Sequence, residues 1–146
     1  MNNCQDFIIY CQQHKIRLTT FRKMLIELLL QYKKPLTAYE ILGEMKKNHP
    51  NANIMSIYRN LEFFRQHKLI HKLDSSNRFS LCCHPSDSLC QIFICQRCGA
   101  KVESHNTALS QMIHSLATDT GFELKQNKIE LSGICRRCSA DAVSNG

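Results

Sequence analysis

The sequence lacks any apolar run approaching the roughly 20 residues that span a bilayer. Its longest pieces, Met24-Leu25-Ile26 and Leu28-Leu29-Leu30, are separated by Glu27. It also lacks a basic leader: MNNCQDFIIY carries Asp6 and neither Lys nor Arg, which argues against a secretory signal. No segment repeats and no low-complexity linker is present. A cytoplasmic protein with no membrane partner is therefore expected, with its nine cysteines reduced. An odd number of thiols cannot close a disulfide framework, which leaves metal or redox chemistry for them. At 146 residues and 43% apolar, the chain can build one or two small domains with a real core.

Charge and thiols divide the chain in opposite senses. Residues 1–81 hold 13 Lys/Arg against 6 Asp/Glu, whereas residues 82–146 hold 6 of each, so the whole net charge of +7 lies in the first part. Only Cys4 and Cys11 fall there; the other seven cysteines follow. A basic, nucleic-acid-binding part joined to a metal-binding part is the inference.

Periodicity predicts four helices in the basic part. Residues 3–14 place Phe7, Ile8 and Cys11 on one face. Thr19 or Thr20 caps a second helix running to Leu30, with Phe21, Leu25, Leu28 and Leu29 inward. Thr37 caps a third, holding Ile41 and Met45. A fourth, about Met55 to His67, has Ile57, Leu61 and Phe64 at i, i+4, i+7 facing the core and Ser56, Arg59, Asn60 and Phe63 on another side. Leu69–Leu73 and Arg78–Cys82, joined by Asp74-Ser75-Ser76-Asn77, read as a β-hairpin. Helices followed by a hairpin predict a winged helix, a fold that lays one helix in a DNA major groove. Arg17, Arg22, Lys23, Lys72 and Arg78 are expected to attract phosphate.

The remaining residues predict strands at Gln91–Ile94, Ala100–Ser104 and Phe122–Leu131. Between them Asn106–Thr120 is an amphipathic helix with Leu109, Met112, Ile113, Leu116 and Ala117 on one stripe, stopped by Gly121. The expected organisation is α+β: a winged-helix domain over 1–82, a hinge at about 82–90, and a small α/β domain over 91–146. So thin a second core needs a metal or a partner subunit.

Cys95-x-x-Cys98 and Cys135-x-x-Cys138 supply four thiolates, the donor set of a closed, structural tetrahedral Zn²⁺ site. The 36 intervening residues fit a strand–helix–strand unit whose ends the metal ties, with Gly99 and Gly133 in tight knuckle turns. A second group, His71, Cys82, Cys83, His84, Asp87, Cys90 and Glu103, offers mixed donors at the joint between the two parts, where one metal could couple them.

In order and spacing, Arg17-Leu18-Thr19-x-x-Arg22, Leu36-Thr37-Ala38-Tyr39 and Ser56-Ile57-Tyr58-Arg59-Asn60-Leu61 resemble the Fur family of metal-responsive bacterial repressors, and within it the zinc-responsive branch. The likeness continues through Ile70-His71-Lys72-Leu73, Phe93-Ile94-Cys95-Gln96-Arg97-Cys98-Gly99 and Gly133-Ile134-Cys135-x-x-Cys138. It implies a homodimer of winged-helix and dimerisation domains, with the fourth helix reading DNA. Tyr39, Tyr58 and Arg59 match DNA-contacting positions; Ser56, Arg17 and Arg22 join the expected DNA-binding set. Cys95, Cys98, Cys135 and Cys138 match the structural zinc site, and His71, Cys82 and Glu103 match regulatory zinc ligands.

The chain departs from that branch at the fourth regulatory ligand, because residues 86–94 contain no histidine. Counting forward from Cys82 gives Cys90, and counting back from Cys95 gives Ser88, a poor ligand; Cys90 is preferred, with His84 as the alternative. Two thiolates, an imidazole and a carboxylate favour Zn²⁺ over Fe²⁺. Ser56 stands where the family more usually has Thr, and Thr20 where it has Pro. The expected function is a zinc-responsive repressor holding two Zn²⁺ per subunit on palindromic operator DNA. The alternative is a regulator answering Fe²⁺ or Mn²⁺, or thiol oxidation through Cys82, Cys83 and Cys90. An enzyme is not expected, since the deaminase pattern H-x-E…P-C-x-x-C is missing.

Overall fold

Asn3, Thr19, Thr37 and Asn53 each begin a helix for the same reason: a side-chain oxygen accepts a backbone N–H that the first turn leaves without a partner. In a computed structural model, which describes residues 3–32, 34–85, 89–126 and 128–144, these caps open α1 (Cys4–Gln13), α2 (Thr20–Gln31), α3 (Ala38–Lys46) and α4 (Ile54–Gln66). Thr37 and Asn53 are reciprocated by Glu40 and Ser56 in capping boxes. The hairpin follows as β1 (Ile70–Leu73) and β2 (Arg78–Leu81), antiparallel with Leu73 opposite Arg78. Asn77 supplies the positive φ of 50° that its turn requires. Leu36 adds a bridge to Phe79 through two backbone hydrogen bonds of 2.7 and 3.0 Å. Helices, hairpin and bridge make a winged helix.

The chain divides into two compact units, Met1–Pro85 and Ser86–Gly146. The core of the first draws on every element: Phe7, Leu25, Ile26, Ile41, Ile57, Leu61, Phe64, Leu69 and Ile70 are all buried. The stripe predicted for α4 faces inward. On α2 the buried set is Leu25, Ile26, Leu28 and Leu29, while Phe21 is only half-buried against the His49 ring.

The second unit is built from β3 (Cys90–Cys95), β4 (Lys101–Ser104), α5 (Thr107–Asp119), β5 (Lys128–Gly133) and α6 (Arg136–Ser144). Sheet order is β4-β3-β5, antiparallel for β3/β4 and parallel for β3/β5. A parallel neighbour needs a long crossover, which α5 and the segment after it provide. Gly121, at φ 78°, ends the helix with the backbone that glycine adopts without strain.

Two expectations are corrected here, and one helix was not foreseen. Phe122–Leu131 is not one strand: β5 begins at Lys128 because its partner β3 begins at Cys90, opposite Lys128. Gly133 is the last residue of β5 rather than part of a tight knuckle turn. A sixth helix starts inside the second CxxC, where the Ser139 N–H donates to the Cys135 carbonyl at 2.9 Å. Its sequence, RRCSADAVS, buries only Cys138 and gave no periodic signal. The α5 stripe is present but turned outward: Met112 is 69% and Leu116 62% exposed, with Ala117 buried.

Candidate metal centres and exposed helix face

The parallel register places Cys95 opposite Gly133, so the two CxxC segments leave adjacent strands at the same end. Gly99, at φ 72°, turns the first knuckle and returns its N–H to the Cys95 carbonyl at 2.9 Å. All four Sγ atoms of Cys95, Cys98, Cys135 and Cys138 lie within 4.8 Å of one another. Cys98 Sγ and Cys135 Sγ are 3.8 Å apart, matching the ~3.8 Å edge of a tetrahedron with Zn–S bonds of about 2.3 Å. The donor set therefore fits Zn²⁺.

Electrostatics split the thiols of this cluster. Backbone N–H groups of Cys98 and Cys135, the latter 3.4 Å from Cys95 Sγ, together with that of Arg97, pull the Cys95 thiol down to about 6. The Ala100 backbone N–H lowers Cys98. Cys138 is pushed up to about 12, first by its side-chain hydrogen bond with Cys135 and then by burial. Arg97 Nη1 donates to the Cys138 carbonyl at 2.8 Å, and Cys98 holds the Arg137 guanidinium in its charged form.

The other expected metal ligands fall as two pairs, one on each unit. In the first, β1 carries His71 and Cys82 follows β2; both are buried and their donor atoms lie within 4.8 Å of each other. In the second, Cys90 opens β3 and Glu103 sits on the neighbouring β4, again with donors within 4.8 Å. The Glu103 side chain is only 2% exposed and accepts from Lys101 Nζ at 3.0 Å, a partner the sequence reading did not pick out. His84 is exposed, whereas Cys90 is fully buried. Asp87 and Ser88 lie outside the described residues.

On the winged-helix unit, Tyr39 begins α3 and is 68% exposed; Tyr58 and Met55 project from α4, and Arg59 and Arg17 are also exposed. Ser56 is occupied within its own helix: Oγ donates to the Asn53 carbonyl at 2.7 Å and accepts the Asn53 N–H at 3.3 Å. Arg78 Nη1 donates to Glu40 Oε2 at 3.0 Å and to the Pro35 carbonyl at 3.2 Å, fastening the wing to α3. Arg22 is engaged inside the unit with Arg17, Asn60 and Phe63. No helix among the described residues is long and apolar enough to cross a membrane.

A winged helix followed by an α/β unit with a four-thiolate zinc-type centre defines a metal-binding winged-helix protein. The pattern of the ferric uptake regulator family matches residues 13–132, and the chain belongs to that family. It is 34% identical over 131 residues to the zinc uptake regulation protein of Escherichia coli K12, covering 88% of this chain and 76% of that protein. Among solved structures it is similar to a zinc uptake regulator complexed with zinc and DNA (TM-score 0.86, 30% identity, 96% of this chain and 95% of the other). It also resembles holo XcZur, with a TM-score of 0.83, 28% identity, and coverage of 94% and 96%.

Proposed function

We propose that the chain is a zinc-responsive transcriptional repressor that binds palindromic operator DNA as a homodimer and controls zinc uptake genes. The observation that carries this is the pair of buried two-donor half-sites, His71 with Cys82 and Cys90 with Glu103, one on each unit. Their combined chemistry, two thiolates, an imidazole and a carboxylate, selects zinc over iron. When bound, zinc supplies a redox-inert cross-link that closes such a donor set. Cys90 is preferred to His84 as the fourth ligand because it is buried beside Glu103 on an adjacent strand.

His71 and Cys82 belong to the wing that follows α4, and Cys90 and Glu103 to the unit assigned to dimerisation. Joining them would fix the separation of two α4 helices, so that Tyr58, Arg59 and Tyr39 meet successive half-sites. By linkage, DNA must tighten zinc binding by the factor that zinc tightens DNA binding. Dimerisation is supported by the outward α5 stripe and by Phe93, Val102 and Leu131, aligned across the sheet by register and all exposed. Cys95, Cys98, Cys135 and Cys138 hold a second, structural zinc, giving two per subunit. Four thiolates leave no open coordination position, and no catalytic role is assigned. The protein acts in the cytoplasm, where these thiols stay reduced.

The test is zinc content by mass spectrometry, followed by duplex binding across buffered free zinc. Two zinc ions per chain, one removable together with DNA binding, is the expected result. One zinc and zinc-independent binding would refute it and turn attention to oxidation of Cys82, Cys83 and Cys90.

A further inference from the structure

Arg22 differs from the other basic residues of the winged helix in what its guanidinium touches. Its Nε donates to Asn60 Oδ1 on α4 at 2.9 Å and Nη1 donates to the Arg17 carbonyl at 2.9 Å. Cζ lies 3.4 Å from the centre of the Phe63 ring, a cation–π stack. Asn60 is fixed in turn, because its Nδ2 donates to the Ser56 carbonyl at 2.7 Å. Ser56, Asn60 and Phe63 recur at i, i+4 and i+7 and line one strip of α4. That strip runs between the core stripe of Ile57, Leu61 and Phe64 and the exposed side that carries Arg59.

A core stripe alone leaves a helix some freedom to roll, since apolar contact is not directional. Hydrogen bonds and a planar stack are directional. We infer that Arg22 is a positioning residue for α4: it fixes the roll of the helix, and so the direction in which Tyr58 and Arg59 project, instead of holding a phosphate itself. This places it differently from its expected membership of the DNA-contacting set. Its charge is necessary but not sufficient. Lysine would keep the cation but lose the fork and the plane that Asn60, the Arg17 carbonyl and Phe63 engage.

The inference rests on the proposed DNA-binding function, and its test keeps the two apart. The probe is a duplex enriched from random-sequence double-stranded DNA by the zinc-loaded wild-type protein, with a scrambled duplex as control. Wild type, Arg22→Lys, Arg22→Ala, Asn60→Ala and the Arg22→Ala/Asn60→Ala double variant are compared by fluorescence anisotropy through a KCl titration. Both Arg22 variants should bind the selected duplex roughly 10-fold or more weaker while binding the scrambled duplex as wild type does. The slope of log affinity against log salt should not change, and the double variant should be no worse than Arg22→Ala. A slope reduced by about 0.9 in Arg22→Ala and restored in Arg22→Lys would make Arg22 a phosphate ligand and overturn the inference. Equal loss on both duplexes, in proportion to the fraction folded by circular dichroism, would also overturn it by leaving a folding role alone. If wild type enriches no duplex, the DNA-binding function fails and the inference falls with it.

Discussion

Removing the four-thiolate centre should unfold the second unit and leave the first intact. The described apolar residues buried in the second unit, cysteines apart, are Leu89, Ile92 and Ala117. Burial of a Leu or Ile side chain contributes about 1.5–3 kcal/mol, so these side chains supply on the order of 5 kcal/mol before ordering entropy is set against them. Zinc held by four thiolates contributes on the order of 10 kcal/mol in small domains. Cys135→Ser deletes one of the four thiolate donors, so most of that contribution is lost. Hydrogen exchange read by mass spectrometry is the assay, on the variant and on wild type stripped by chelator. Amides of α5 and β5 should lose protection, while those of α2 and α4, packed on Leu25, Ile26, Ile57 and Phe64, should keep theirs. Protection of β5 that survives zinc removal would refute the estimate that the metal outweighs the apolar core.

Cys90→Ala or Glu103→Gln should lower zinc content from two ions to one per chain and abolish zinc-dependent DNA binding, whereas His84→Ala should leave both intact; mass spectrometry and anisotropy in zinc buffers decide. Asn53→Ala removes one half of the capping box on α4 and should cost about 1 kcal/mol of stability, read as a lowered melting temperature of the winged-helix unit. Leu116→Asp places a charge on an already exposed position of α5, and sedimentation should show dissociation to monomers without loss of helical signal. Acidification works against the structural centre, because each thiolate must stay deprotonated to bind metal. Cys95 is held down at about 6, so its contribution is complete above the thiol's ordinary range and lost as pH falls through that value. Equilibrium dialysis should find zinc retained at pH 8 and released on acidification.

Much of the winged helix was legible because its residues answer to one local rule each. Ile57, Leu61 and Phe64 recur at helical spacing and are buried; Thr19 and Thr37 cap where a hydroxyl was needed; Asn77 turns the hairpin. The second unit was less legible because its signals depend on other chains or other strands. Leu109, Met112 and Leu116 form the stripe that spacing predicted, yet Met112 and Leu116 stand mostly exposed. The start of β5 is set by where β3 begins, which no property of Phe122–Gln126 discloses. The four-thiolate centre was readable from CxxC spacing alone. His71, Cys82, Cys90 and Glu103 were readable only as residue types, and Lys101 beside Glu103 left no trace in the spacing. Arg22 shows the opposite limit: composition marks it as a cation, and only its contacts with Asn60 and Phe63 show it turned inward.

The parallel register of β3 and β5 has a consequence for how the molecule is made. The first CxxC leaves the ribosome with two thiols and no partners, and the second follows only after the whole crossover has been synthesised. A chain cut short within α5 would carry half a coordination sphere and bind the metal weakly. With zinc bound, the centre would serve as a completion check, locking the second unit only when the last strand has found its place. Loops inserted into the crossover could lengthen the wait, at a loop-closure cost that rises only slowly with length, without disturbing the lock.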